Sequence, residues 1–219
     1  MLDLTKFFVL AFSALLPLVN PFADALLFLS LVGSAPPSVY RTLARRIAIS
    51  TTLFLVMIEA GGTLMLKFFG ISLPVVQVSG GLALAAMGWK LMNEEEPKET
   101  AKLPKLDGPD LRLLEQKVFY PFTFPITAGP GCIVVMVTLS AHASRKGWIP
   151  ALLAHTGIVI AVVLLSMAVY VCYGHAPTIT ACISPQTSHG ILRLIAFVLL
   201  CIGVQITSNG VEAIVKTMR

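Results

Sequence analysis

Thr127-Ala128-Gly129-Pro130-Gly131 falls midway through an apolar stretch, residues 118–141, and interrupts it. Two glycines around a proline continue a regular helix only at a cost. A second interruption, Val19-Asn20-Pro21, falls midway through the opening apolar stretch, residues 6–32. Lipid satisfies no free backbone N–H or C=O, so such breaks persist only where protein or a watery cavity covers them. Matched breaks in the two halves of a chain mark the substrate site of a transporter.

The composition agrees with a membrane setting. The chain has 219 residues, 56% of them hydrophobic and 12% charged, and its mean hydropathy is +0.85. Soluble domains are about 25% charged, so this chain has too little polar surface to coat a water-soluble particle. The net charge is +5. Its basic residues cluster beside apolar segments, which points to topology control and anionic headgroups, not to nucleic acid. The four cysteines, Cys132, Cys172, Cys182 and Cys201, form no CxxC and no disulfide framework. Cys172, His175, Cys182 and His189 surround the fifth connection, but their spacing fits no zinc pattern, and no metal is expected. The run 7–19 after Lys6, with Ala23-Asp24-Ala25 beyond it, has the outline of a signal peptide. The apolar run continues through residues 26–32, so it is read as a retained span.

Six apolar segments emerge: residues 6–32, 46–66, 71–92, 118–141, 148–173 and 189–215. Each reaches the ~20 residues that cross a bilayer. Residues 93–117 are polar, with Glu94-Glu95-Glu96-Pro97 and Asp107-Gly108-Pro109-Asp110, and read as a flexible linker. This divides the chain into a three-span repeat (1–92), the linker (93–117) and a second three-span repeat (118–219). Gly81 to Gly88 in the third segment and Ala196 to Gly203 in the sixth repeat a small residue seven positions before a glycine. Three spans per half is odd, so the second half inserts upside down. The fold expected is all-α integral membrane: six transmembrane helices in two inverted three-helix repeats, with spans one and four broken. Lys and Arg counts place the linker in the cytoplasm and both termini outside, with Arg145 and Lys146 opposing that bias.

Several residues could carry chemistry. Asn20 offers an amide at the first break, and Pro21 frees the carbonyls near Pro17 and Leu16. They contact a substrate or ion, or they form a kink whose Asn a neighbouring helix satisfies. Asp24 couples a proton or cation, or caps the helix that restarts after Pro21. At the second break, a half-helix starting near Cys132 points its positive end at the midplane, where it attracts a carboxylate, and Thr127 adds a hydroxyl. Close packing is the alternative for Gly129 and Gly131, but packing needs no Pro130. Glu59, ahead of Gly61-Gly62, is a proton-linked carboxylate, a partner of Lys67 or Arg193, or a group facing a polar crevice. Gln205, Ser208, Asn209 and Gly210, like Gln77 with Ser79-Gly80-Gly81, supply polar lining or close packing. His142 and His155 flank the fifth segment and read as interfacial. The sequence has no GxSxG, HExxH or P-loop, so neither an enzyme nor a cofactor is expected.

These residues resemble a known family. Val19-Asn20-Pro21 with Phe28-Leu29-Ser30-Leu31, Gly70-Ile71-Ser72-Leu73 with Gly80-Gly81, Pro125-Ile126-Thr127-Ala128-Gly129-Pro130-Gly131, and Gln205 with Asn209-Gly210 are similar to signatures of the MarC (SnatA-type) family of bacterial and archaeal inner-membrane proteins. The resemblance covers nearly the whole chain. It implies six spans in two inverted halves and, for some members, export or exchange of small neutral amino acids such as glycine and alanine. By motif, Asn20, Pro21 and Gly129-Pro130-Gly131 would form the substrate region. The family pattern after Pro21 has Gly, Asn and Pro where this chain has Ala23, Asp24 and Leu26, which alters the charge at the first break.

The function expected is secondary transport of a small neutral amino acid, by export or exchange, coupled to protons or sodium through Asp24 or Glu59. Substrate would sit at Asn20, Pro21, Thr127, Gly129, Pro130 and Gly131. The expected partners are that amino acid and membrane lipids, with no nucleic acid and with a homo-oligomer left open. The alternatives are a non-transporting scaffold or envelope-stress regulator and, last, an intramembrane enzyme.

Overall fold

The computed structural model describes residues 2–93, 111–144, 147–182 and 185–217. The regular structure among them is helical throughout. In the first half, α1 (Leu2–Val19) and α2 (Pro21–Val32) meet at Asn20, and α3 (Pro37–Phe68) and α4 (Leu73–Asn93) follow. The second half opens with a short α5 (Leu111–Gln116) and a wide-turned segment, Val118–Thr127. It continues through α6 (Pro130–Ala143), α7 (Trp148–Gly174), α8 (Ala176–Cys182) and α9 (Pro185–Thr217).

Four stretches are long and apolar enough to cross a membrane: Leu2–Leu29, Pro37–Phe68, Trp148–Gly174 and Ala196–Thr217. A fifth is added if Val118–Thr127 and Pro130–Ala143, bent by 72° to one another, count as one. α4 is not among them, because Gln77, Ser79 and its glycines dilute its apolar character. α3 starts at Pro37, ahead of its apolar part, since a proline is well placed in a first helical turn. Its 32 residues extend about 48 Å, against a hydrocarbon core of about 30 Å. Arg41, Arg45 and Arg46 therefore lie on the overhanging end. Part of the polar linker is folded: α5 buries Leu114, and Glu115 accepts from Arg46 at 2.9 Å. The rest of the linker, Arg145, Lys146 and the side chains of Cys182 and His189 lie outside the described residues.

Two antiparallel pairs set the framework. On α3 and α7, Arg41 packs beside Gly174, Arg45 shares a groove with Tyr170, and Glu59 pairs with His155. Position falls on one helix as it rises on the other. α4 and α9 approach through small residues. A Cβ on Gly81 would lie 2.6 Å from the Gly203 carbonyl oxygen, one on Gly88 2.8 Å from that of Ala196, and one on Gly210 2.8 Å from that of Pro74. Such contact lets backbones close up in lipid, where helices gain little from hydrophobicity. Large apolar side chains, among them Leu53, Met57, Leu64, Leu152, Met167 and Phe197, face outward, as lipid contact requires.

Candidate functional site

The first break rests on one residue. Asn20 has φ 37° and ψ 67°, the left-handed region that Asn tolerates better than most side chains. Its side chain accepts from the Ala23 N–H at 3.3 Å and caps α2, with Pro21 in the first turn. The Leu16 carbonyl is not freed, as the proline alone suggested. It accepts from the Asn20 N–H at 3.0 Å.

The second break is longer than its Gly-Pro-Gly core. Tyr120 and Phe124 are extended, and each precedes a proline, Pro121 or Pro125, which biases the preceding residue out of the helical region. The intervening turns widen. The Phe122 N–H reaches the Lys117 carbonyl at 3.3 Å, and that of Ala128 reaches Thr123 at 2.8 Å. Hydroxyls bridge the same five-residue span: Thr123 donates to Val118 at 2.9 Å and Thr127 to Phe122 at 2.7 Å. α6 then starts at Pro130 with no side-chain cap, so its first-turn N–H groups keep their positive end unsatisfied by a side chain. The repeated aromatic-proline pair, four residues apart, is the sequence signal for this early unwinding.

The two breaks meet. A Cβ on Gly131 would lie 3.0 Å from Leu18 Cδ2, two residues before Asn20, and would overlap Leu84. A side chain at position 131 would thus have to displace Leu84. Thr127 is buried, and its hydroxyl lies 2.8 Å from that of Tyr173, so it is engaged within the protein. Phe28 of α2 stacks on Tyr173 with ring centroids 4.7 Å apart and meets Phe122 edge-on at 5.5 Å. Pro21, Ala128, Gly131 and Cys132 are buried, Asn20 and Gly129 half-buried, and Pro130 exposed.

Asp24 lies among these groups. It is 8% exposed, and its Oδ2 has no hydrogen-bond partner among the described residues. It acts electrostatically on Cys132, at the start of α6, and on Tyr173. An unpaired carboxylate in this setting is costly. Its neighbours include the start of α6 and Tyr173.

Glu59 belongs to a separate polar cluster. Its partner is neither Lys67 nor Arg193. His155 Nδ1 pairs with Glu59 Oε1, and Ser144 Oγ lies 3.3 Å from His155 Nε2. Ser140 donates to the Glu59 carbonyl at 2.6 Å. His155 is therefore not simply interfacial, because the α3–α7 register delivers it to a buried acid. His142 stays exposed. Gln205 donates to Asn209 at 2.9 Å, both exposed on α9, so they line no interior site. Among the described residues no group of His, Cys, Asp or Glu could hold a metal ion. Two open grooves flank α3, and neither borders Asn20, Asp24 or residues 129–131.

Buried breaks meeting between apolar helices define a multi-pass membrane protein with a few polar groups in an apolar interior. A family model described as MarC family integral membrane protein matches residues 5–215. Similar proteins include the inner membrane protein MarC of Salmonella typhimurium, 31% identical over 99% of both chains. That of Citrobacter koseri is 33% identical over 99% of both. That of Escherichia coli O1:K1 / APEC is 29% identical, again over 99% of both. No solved structure matches this chain. The chain belongs to the MarC family and is a multi-pass inner-membrane protein.

Proposed function

We propose that this protein is a secondary transporter of small neutral amino acids, working by export or exchange, with substrate held where the two helix breaks meet. The observation that carries the reading is the buried Asp24 carboxylate, with an unpartnered oxygen, beside the uncapped start of α6. An amino acid is a zwitterion. Asp24 and the Asn20 amide suit its ammonium, and the first turn of α6 at Gly129–Gly131 suits its carboxylate. A proton or cation on Asp24 competes with the substrate ammonium for the same carboxylate, so ion and substrate would occupy the site in turn, which is how an ion gradient would drive export. Glu59, already paired with His155, is the second coupling candidate and the less suited one. No cofactor or catalytic step enters this reading.

The six-span, inverted-repeat arrangement has support from the pairings. The first broken helix packs on α7 as α6 packs on α3, and α4 packs on α9. On this reading the linker faces the cytoplasm and both termini lie outside.

Counterflow of glycine and alanine in proteoliposomes tests the function. Asn20→Ala and Gly129→Leu are expected to abolish it, and Asp24→Asn to remove its dependence on the ion gradient. Wild-type rates in the first two variants would overturn the site assignment. One observation favours a second reading, a non-transporting membrane scaffold: Thr127, Ala128 and Cys132 are packed almost without exposure. Cysteines placed at Ala23 and Ala128 separate the two. Labelling from water during counterflow supports a transporter, and complete protection supports the scaffold.

A further inference from the structure

The groove between α3 and α7 is built like a lipid site. It encloses about 470 Å³, with Arg45 and Tyr170 at one end, Ile49, Val163 and Met167 along it, and Ser166 in its wall. Arg41, one turn before Arg45, packs its Cγ beside Gly174, so both guanidinium groups stem from the α7 side of α3. Neither has an acidic partner among the described residues, whereas neighbouring Arg46 is paired with Glu115. Ser166 is 3% exposed, and its hydroxyl has no hydrogen-bond partner among the described residues.

We propose that this groove holds one anionic phospholipid. Its phosphate lies on Arg41 and Arg45, with the Tyr170 hydroxyl as a third donor. One acyl chain runs along Ile49, Val163 and Met167. The antiparallel register sets Ser166 opposite Ile49, one helical turn or about 6 Å below Arg45. In a glycerophospholipid an ester sits on the carbon next to the one bearing the phosphate. Its carbonyl reaches that depth, over the groove wall to which Ser166 belongs. Lipid is the occupant because the groove runs along two helices apolar enough to cross a membrane, with basic residues at its end, and basic clusters at the membrane boundary attract anionic headgroups. Two guanidinium groups with no carboxylate beside them among the described residues favour a net negative headgroup over a zwitterionic one. The site is independent of whether the protein transports anything.

The test uses the full-length protein in neutral detergent with phosphatidylglycerol or phosphatidylcholine at equal mole fraction, read by native mass spectrometry. The wild type is expected to retain phosphatidylglycerol about tenfold more tightly, equivalent to ~1.4 kcal/mol. Arg45→Gln removes that preference, and Lys67→Gln, at the far end of α3, keeps it. Val163→Trp fills the trough with both arginines intact and lowers retention of both lipids, which keeps the test decisive should Arg45→Gln not fold. Soluble glycerol phosphate is expected to leave the melting temperature unchanged. Equal retention of the two lipids, equal losses in Arg45→Gln and Lys67→Gln, unaltered retention in Val163→Trp, or an equal shift with glycerol phosphate would each overturn the proposal.

Discussion

Gly203→Ala isolates the packing that joins the two halves. A Cβ there would lie 2.7 Å from the Gly81 carbonyl oxygen and 2.9 Å from the Ala85 Cα, and closer still to the Ala85 nitrogen. All three are backbone atoms, so no rotamer change relieves the overlap. Ordinary contact starts at 3.4 Å and the nearest atom, the Ala85 nitrogen, lies about 1 Å inside that limit, so α4 and α9 must separate by about 1 Å at this point. A gap of that size forfeits about a quarter to a half of the dispersion energy of each pair across it. Overpacking of this kind costs about 1–3 kcal/mol. For a chain of this length each kcal/mol moves the melting temperature by about 2–4 °C, so the expected loss is roughly 2–12 °C. Gly61 is the control, because a Cβ there meets nothing within 4 Å. Replacing that helix-interior glycine by alanine is expected to gain about 0.5–1 kcal/mol. Thermal unfolding in detergent, followed by tryptophan fluorescence, reads both, since Trp89 sits beside Gly88 on α4. The paired variant Gly88→Ala/Gly203→Ala is expected to lose less than the sum of its parts, because one separation relieves both overlaps. Gly203→Ala as stable as wild type, or Gly61→Ala losing as much, would refute the close crossing.

Other expectations follow from the two breaks and the buried acid. His155→Ala leaves Glu59 buried without its partner and is expected to cost about 3–5 kcal/mol, with Glu59→Gln in the same chain recovering most of it. Additive losses in chemical denaturation would count against the pair. Asn20→Ala loses a cap and places alanine in a left-handed conformation, for a combined cost of about 1–3 kcal/mol, whereas Asn20→Gly is expected to cost a few tenths. Equal melting temperatures for the two variants would argue that Asn20 is not left-handed. Gly131→Ala overlaps Leu84 and is expected to destabilise by about 1–3 kcal/mol. Leu84→Ala should restore part of that loss, and failure of the rescue would remove the claim that this contact explains the glycine.

The breaks were legible in the sequence because Pro, Gly and Asn act on their own backbone. Asn20-Pro21 and Gly129-Pro130 need no partner to interrupt a helix. The partner of Glu59 was not legible. His155 lies 96 positions away, and only the antiparallel register of α3 and α7 brings the two together. Lys67 is closer in sequence and sits eight residues along the same helix, but side chains on a helix meet at spacings of three and four. The early unwinding at Pro121 and Pro125 was readable and lay hidden within an otherwise apolar run.

The matched spacing in the third and sixth segments has a physical cause of its own. Gly81 approaches Gly203, and Gly88 approaches Ala196. Two antiparallel helices advance by the same rise per residue, so two close contacts one above the other require equal intervals on both chains. An interval of seven on α4 therefore demands seven on α9, whatever the ancestry of the halves. A duplicated sequence and a pair of facing helices leave the same trace here. The spacing is evidence for the contact first. The case for an inverted repeat rests instead on the broken helices, where α1–α2 and the Val118–Thr127/α6 pair interrupt themselves at corresponding places by different means. One uses a left-handed Asn before a proline, the other two prolines and an uncapped helix start. The outcomes differ as well: the Val118–Thr127/α6 pair is bent by 72°, whereas Leu2–Leu29 runs as one apolar stretch through Asn20.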